Sequence, residues 1–243
     1  MIYKLYKTNL TIIVIILLVF SCAKNRENDT AESLYINAMK LLKKHQYFDA
    51  ITEFEKIDNE FPFSKWAIKG QIMTIYANYK NKDCPKVIEI SDDFIRLSPN
   101  SEYTPYAFYM KGLCYYNKIP DIQRSQQDTK EASSTFRELI ARYKDTEYAK
   151  DAYKKLSFID EHLAGSLMST ARYQMKNNNY IGAIYNLKEV IEVYRNSNQL
   201  PEAYYRLVEI YKKIGLKEQS RKLYQTLEKK FPQNYWTKLA KSI

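Results

Sequence analysis

Residues 31–64, AESLYINAMKLLKKHQYFDAITEFEKIDNEFPFS, carry the pattern that most limits what this chain can become. Leu34, Ala38 and Leu41 recur at helical spacing, a polar break spans 43–46, and Ala50, Phe54 and Ile57 form a second stripe before Pro62. Apolar residues at i, i+4 and i+7 share one face of a helix, so the spacing predicts two amphipathic helices joined by a short turn. Pro62 ends the second, because proline has no N–H and pushes its predecessor out of the helical region. A hairpin this small cannot cover both stripes alone; it becomes stable when copies stack.

Copies follow. Residues 68–101 repeat the pattern with Ile75, Val87 and Phe94, and residues 105–146 with Phe108, Gly112, Tyr115, Ala132, Phe136 and Leu139. Residues 164–197 give Leu167, Ala171, Ala183, Leu187 and Val190; residues 201–234 give Tyr204, Leu207, Tyr211, Tyr224, Leu227 and Pro232. Ser91 stands where a large residue is expected, and Lys144 and Arg195 where Pro is expected. The five copies resemble the tetratricopeptide (TPR) consensus, and that resemblance implies an all-α, right-handed superhelical solenoid of about five hairpins. Only 5 Gly and 7 Pro in 243 residues supply few turns for a sheet protein, which agrees with an all-α chain.

The spacing is irregular in the middle. Pro62 to Pro99 and Arg195 to Pro232 are each 37 residues apart, whereas the third copy has a long loop at 117–128. An added stretch, 147–163, places Ala152, Leu156, Ile159 and Leu163 at turn spacing and is predicted to lengthen one helix into the fourth repeat.

Residues 1–21 hold Lys4 and Lys7, then an apolar run from Ile12 to Phe20 and the small residue Ser21. The run is about half of what a spanning helix needs, so it reads as an export signal. Val19-Phe20-Ser21-Cys22 resembles the lipobox of bacterial lipoproteins, which implies cleavage before Cys22 and lipidation of that residue, a covalent lipid being the one attached group expected. Ala23 in place of Asp, by the same resemblance, implies sorting to the outer membrane, and residues 22–30 read as a flexible tether.

The net charge is +10, and loss of Lys4 and Lys7 leaves 36 − 28 = +8. Lysines are scattered singly or in pairs along polar faces, as in Lys43-Lys44 and Lys229-Lys230, so they read as a solvated surface; export argues against nucleic acid as a partner. Cys84 and Cys114 remain in an oxidising compartment. They are expected to be separately buried thiols, with a disulfide between them as the alternative, since the sequence does not establish the Cβ separation that a bridge requires.

No catalytic constellation emerges. His45 lies in the first turn and reads as a solvated residue; His162, after Asp160-Glu161, is placed near the end of the added helix, where an imidazolium would complement the terminus. Neither belongs to a metal-ligand spacing, and no nucleophile or phosphate-loop motif occurs, so the chain reads as a non-enzyme without metal.

The 23 tyrosines carry more information. At the first-helix positions that line the concave face of tetratricopeptide hairpins stand Tyr35, Tyr76, Tyr79, Lys80, Tyr106, Tyr109 and Tyr116, an aromatic peptide-binding groove edged by a cation.

Phe61-Pro62-Phe63-Ser64, Ile75 to Asn81, Phe94 to Pro99 and Tyr109 to Leu113, with Arg124-Ser125 and Asp128 in the long loop, resemble the signatures of the BamD (YfiO) family of outer membrane assembly lipoproteins. The likeness is tight from Tyr35 to Ala164 and looser beyond. It implies a lipid-anchored scaffold on the periplasmic face of the outer membrane, part of the β-barrel assembly machinery. Its N-terminal repeats would receive C-terminal segments of unfolded β-barrel proteins, and its C-terminal repeats would dock on a BamA-type insertase beside other assembly lipoproteins. Asn186, Lys188, Tyr194 and Arg195 fall in that docking region. The competing reading is another periplasmic tetratricopeptide lipoprotein, serving pilus or secretin assembly or cell division.

Overall fold

A computed structural model describes residues 30–242. The leader at 1–21, Cys22 and the tether up to residue 29 lie outside the described residues. Among the described residues every regular element is an α-helix: α1 (Ala31–Lys43), α2 (Tyr47–Glu60), α3 (Lys65–Lys80), α4 (Cys84–Leu97), α5 (Thr104–Tyr116), α6 (Gln127–Arg142), α7 (Glu147–Lys176), α8 (Tyr180–Val193), α9 (Leu200–Lys213), α10 (Lys217–Lys230) and α11 (Tyr235–Ala240). No helix among them is long and apolar enough to cross a membrane.

One turn recurs in four hairpins. His45, Lys82, Asn178 and Gly215 are the middle residues of three-residue turns, with φ of 60°, 64°, 57° and 85°. In each, the next N–H returns to the carbonyl five residues back: Gln46 to Leu41, Asp83 to Asn78, Asn179 to Gln174 and Leu216 to Tyr211, at 2.8–3.0 Å. This left-handed closure satisfies carbonyls that the helix end leaves open. Three of the four positions bear a side chain where glycine would be unstrained.

The joints leading out of the second helices repeat as well. Phe61, Ser98, Tyr143, Tyr194 and Phe231 close α2, α4, α6, α8 and α10 with φ from −136° to −101° and ψ from 43° to 56°. The N–H groups of Ser64, Ser101, Thr146, Ser197 and Asn234 return to those five carbonyls at 3.0–3.1 Å. Proline at 62, 99 and 232 favours this extended exit. Lys144 and Arg195 follow the same exit without it, so the backbone geometry does not depend on the ring.

The chain divides into two compact units, Met1–Ala77 and Asn78–Ile243, the division falling inside α3. In the first, Leu34, Ala38 and Leu42 of α1 meet Ala50, Phe54 and Ile57 of α2, with Ala67 and Ala77 of α3. Phe54 and Ile57 are almost wholly buried, each contributing roughly 1.5–3 kcal/mol. In the second, one core runs from Phe108 through Phe136, Ile159, Leu187 and Leu207 to Ala240. Gly112 lets α5 approach α6, since a Cβ there would overlap the Phe136 ring.

Two expectations are corrected. The structure pairs Cys84, at the first residue of α4, with Cys114 of α5 in a disulfide, Cα to Cα 5.4 Å, so they are not separate thiols. The cause is that α4 packs against α5, which sets these two positions side by side. His162 does not cap a helix end: 147–163 and the next helical segment form one 30-residue helix, α7, and His162 lies in its middle. The core stripe Ala149, Ala152, Leu156, Ile159, Leu163, Met168 and Ala171 runs unbroken through it. Gly165, which could have ended a helix here, stays inside it, and no proline interrupts the periodicity before Asn177.

Candidate aromatic binding face

Tyr106, Tyr109 and Tyr116 follow one another along α5, each half-buried. Their neighbours are rings of α7. The Tyr148 centroid lies 5.5 Å from both Tyr106 and Tyr109, and Phe158 lies 5.8 Å from Tyr116. Behind them stands Phe136, 6.2 Å from Tyr109. The tyrosine hydroxyls have polar company: that of Tyr109 donates to Asp151 Oδ2 at 2.5 Å, and that of Tyr79 accepts from Asn117 Nδ2 at 3.0 Å. Lys155 Nζ sits 3.2 Å from Asp151 and 5.2 Å over the Tyr116 ring.

These contacts fix the charges. Burial, aided by the Asp151 carboxylate, drives the Tyr109 hydroxyl well above the ordinary phenol range. The Tyr109 hydrogen bond, joined by Lys155 and opposed by desolvation, holds Asp151 below the usual carboxylate range. A neutral phenol therefore faces an ionised carboxylate at neutral pH.

In the first unit, Tyr35 packs between Phe54 at 5.7 Å and Trp66 at 4.9 Å, and Tyr76 lies against the same cluster. The ammonium groups of Lys65 and Lys69 lie 5.3 and 5.2 Å over the Trp66 ring. Lys80 is exposed at the last residue of α3. Tyr79, Tyr106, Tyr109 and Tyr116 thus belong to the second unit, and Tyr35 and Tyr76 to the first.

Sequence reasoning overlooked the α7 side of this face: Tyr148, Asp151, Lys155 and Phe158. The signal was present, because those positions recur at intervals of three and four, a second stripe beside the core stripe of the same helix.

The four residues expected at a docking surface do not share one environment. Lys188 and Arg195 are exposed, and Arg195 Nε donates to the Glu192 carbonyl at 2.9 Å. Asn186 turns inward and donates to Gln174 Oε1 at 2.8 Å. Tyr194 is 8% exposed, and burial lifts its hydroxyl to about 12. Tyr194 and Arg195 help line a cleft of about 780 Å³ with Arg137, Tyr153, Phe158 and Asp160. Glu161 fastens one wall, accepting from Ser197 Oγ and the Asn198 N–H at 2.8 Å and from Gln199 Nε2 at 3.0 Å. Burial pushes the Glu161 carboxyl up, but these bonds outweigh it and hold the group below its usual range. Among the described residues no cluster of His, Cys, Asp and Glu could hold a metal ion.

A family model described as outer membrane lipoprotein, YfiO, matches residues 27–227. A Caulobacter vibrioides protein named outer membrane protein assembly factor BamD is 35% identical over 210 residues, covering 86% of this chain and 69% of its own. The Rickettsia prowazekii protein of that name is 32% identical over 237 residues, covering 96% and 94%. The one from Neisseria gonorrhoeae is 32% identical over 215 residues, covering 84% and 80%. These are assembly factors by name, in agreement with a non-enzymatic scaffold. With a family match over most of its length, a fold of helix hairpins and relatives more than 30% identical over most of its residues, this chain belongs to the YfiO family of outer membrane lipoproteins, which includes the BamD assembly factors.

Proposed function

We propose that this chain is a lipid-anchored scaffold of the β-barrel assembly machinery that holds the C-terminal segments of unfolded outer membrane β-barrel proteins and presents them to a BamA-type insertase. The observation that carries the client-binding part is the ring ladder of Tyr106, Tyr109 and Tyr116 against Tyr148 and Phe158, with Asp151 and Lys155 set into it. Rings immobilised in this way cover apolar side chains at little further entropic cost, and the fixed carboxylate and ammonium meet the N–H and C=O groups of an extended backbone. Tyr35, Tyr76 and Tyr79 extend the set of candidate aromatic contacts, and Lys80 supplies a cation for a chain-terminal carboxylate.

Cys22 carries the anchor in this reading, and two or more acyl chains at about 0.8 kcal/mol per buried methylene hold such a protein firmly to a bilayer. Docking on the insertase and on other assembly lipoproteins uses the exposed Lys188 and Arg195, with Tyr194 and Asn186 supporting the surface from behind. The chemistry is recognition, without a bond made or broken.

The test is titration of the full chain in detergent with a peptide ending in Phe. Tyr79→Ala with Tyr116→Ala is expected to weaken binding at least tenfold while circular dichroism stays unchanged; unaltered affinity removes the aromatic face as the site. Co-purification from solubilised envelopes examines the other half. Recovery of the barrel insertase supports the scaffold reading, whereas recovery of a secretin or of division proteins replaces it.

A further inference from the structure

The C-terminal ends of α7 and α9 converge on a pocket of about 310 Å³. Four cations line it, Arg172, Lys176, Arg206 and Lys213, over a floor that includes Met175 and Ile210. Two carboxylates partly neutralise them. Glu202 accepts from Arg172 Nη1 at 3.1 Å and from Arg206 Nε at 3.3 Å, and Glu209 accepts from Arg206 Nη1 at 3.0 Å. Lys213 lies 5.1 Å over the Tyr180 ring. The Lys176 ammonium has neither an ion pair nor a hydrogen bond among the described residues and is exposed at the last residue of α7. Two positive charges are left over.

Lysines in a last helical turn ordinarily complement the helix dipole, which accounts for Lys176 and Lys213 taken singly. It does not account for Arg172 and Arg206, which lie further back in their helices and bring planar guanidinium groups to the same recess. Those forks already hold a carboxylate between them in Glu202, and each retains N–H groups beyond the bonds made to it. We propose that this pocket binds the carboxylate side chains of an acidic polypeptide segment, as a further protein-binding site separate from the tyrosine face and from the docking surface of Lys188 and Arg195. A recess between two helix ends, with room for one or two side chains, suits a chain that inserts them singly. A bilayer surface would instead be met by a broad, flat field of cations.

The probe is a fluorescently labelled hexaglutamate peptide, followed by anisotropy with the full chain in neutral detergent. Hexaglutamate is expected to bind and hexaglutamine not. Replacing Lys176 and Lys213 together by Gln should weaken binding about fivefold, the scale of two exposed ion pairs. Arg172→Gln should weaken it further. The charge-matched pair Lys40→Gln and Lys44→Gln, at the C-terminal end of α1, should leave affinity within twofold. Equal losses from the two lysine pairs would show a diffuse charge effect and overturn the site, as would equal binding of hexaglutamine. Micelles doped with phosphatidylglycerol give the last arm: binding of the doped lipid, lost with Lys176 and Lys213, while hexaglutamate fails to bind would reassign the pocket to lipid and end the proposal.

Discussion

Removing the Cys84 to Cys114 bridge should cost the second unit much of its stability. The bridge spans 30 residues, from the first residue of α4 to the last turn of α5. Closing a loop of that length removes unfolded-chain entropy worth about 3.6 kcal/mol at room temperature. Denaturant slopes for domains of this kind run near 2 kcal/mol per molar urea, so reduction should lower the midpoint by roughly 1–2 M. Because hairpins stack on their neighbours, the loss should be local before it is global. The assay is urea unfolding of the full chain in detergent, oxidised and reduced, with amide exchange read by mass spectrometry over 84–116. Cys84→Ala with Cys114→Ala provides a second route that avoids reductant. If peptide mapping finds the bridge and neither midpoint nor exchange changes on breaking it, the entropic argument is wrong; two free thiols at these positions in air-oxidised protein would refute the pairing itself.

Gly112→Ala should destabilise by about 1–3 kcal/mol, because its methyl overlaps the Phe136 ring; combining it with Phe136→Leu should recover part of that in the same melt. Gly215 has open space around it, so Gly215→Ala should cost about 1 kcal/mol from backbone strain alone, whereas Lys82→Gly, at the matching turn, should gain up to about that much; equal signs would disprove the turn argument. Ser91 is fully buried with an unpaired hydroxyl, and Ser91→Ala should stabilise the fold by an amount on the order of 1 kcal/mol, read as a raised melting temperature. Glu161 has its carboxyl lowered on folding, so its stabilising contribution is full above the ordinary Glu range and fades as pH falls through the depressed value. Glu161→Gln should flatten that acid limb of stability against pH.

The hairpins were legible because their stripes obey one period: Ala38, Phe54, Ala132, Phe136 and Leu187 all emerge fully buried or nearly so. The irregular middle was legible only as surplus length, since counting residues does not say where a helix stops; Gly165 offers a stop that the helix runs through, and it ends only at Asn177. The disulfide was not legible, because it depends on which helices pack together and at what register, a tertiary fact. Tyr194 and Asn186 show the same limit from the other side. Position in a repeat does not separate a tyrosine that faces outward from one that completes a joint, and Tyr194 closes α8 with its ring in the core.

The ring ladder and the cationic pocket share α7, and their separation follows from helix geometry. Lys155, in the ring ladder, and Arg172, in the cationic pocket, are about 25 Å apart along the helix at 1.5 Å per residue. That is about three Debye lengths at physiological ionic strength, so a charge arriving at one surface is hardly felt at the other. Their salt responses must then differ. Contact with rings is largely apolar and should change little between 50 and 300 mM salt, while the pocket, partly exposed and cationic, should lose most of its affinity for an acidic segment over that range. A client whose aromatic end and acidic stretch engaged both surfaces would gain from the effective concentration that one rigid helix imposes, and moderate salt would remove that gain while leaving the aromatic contact in place.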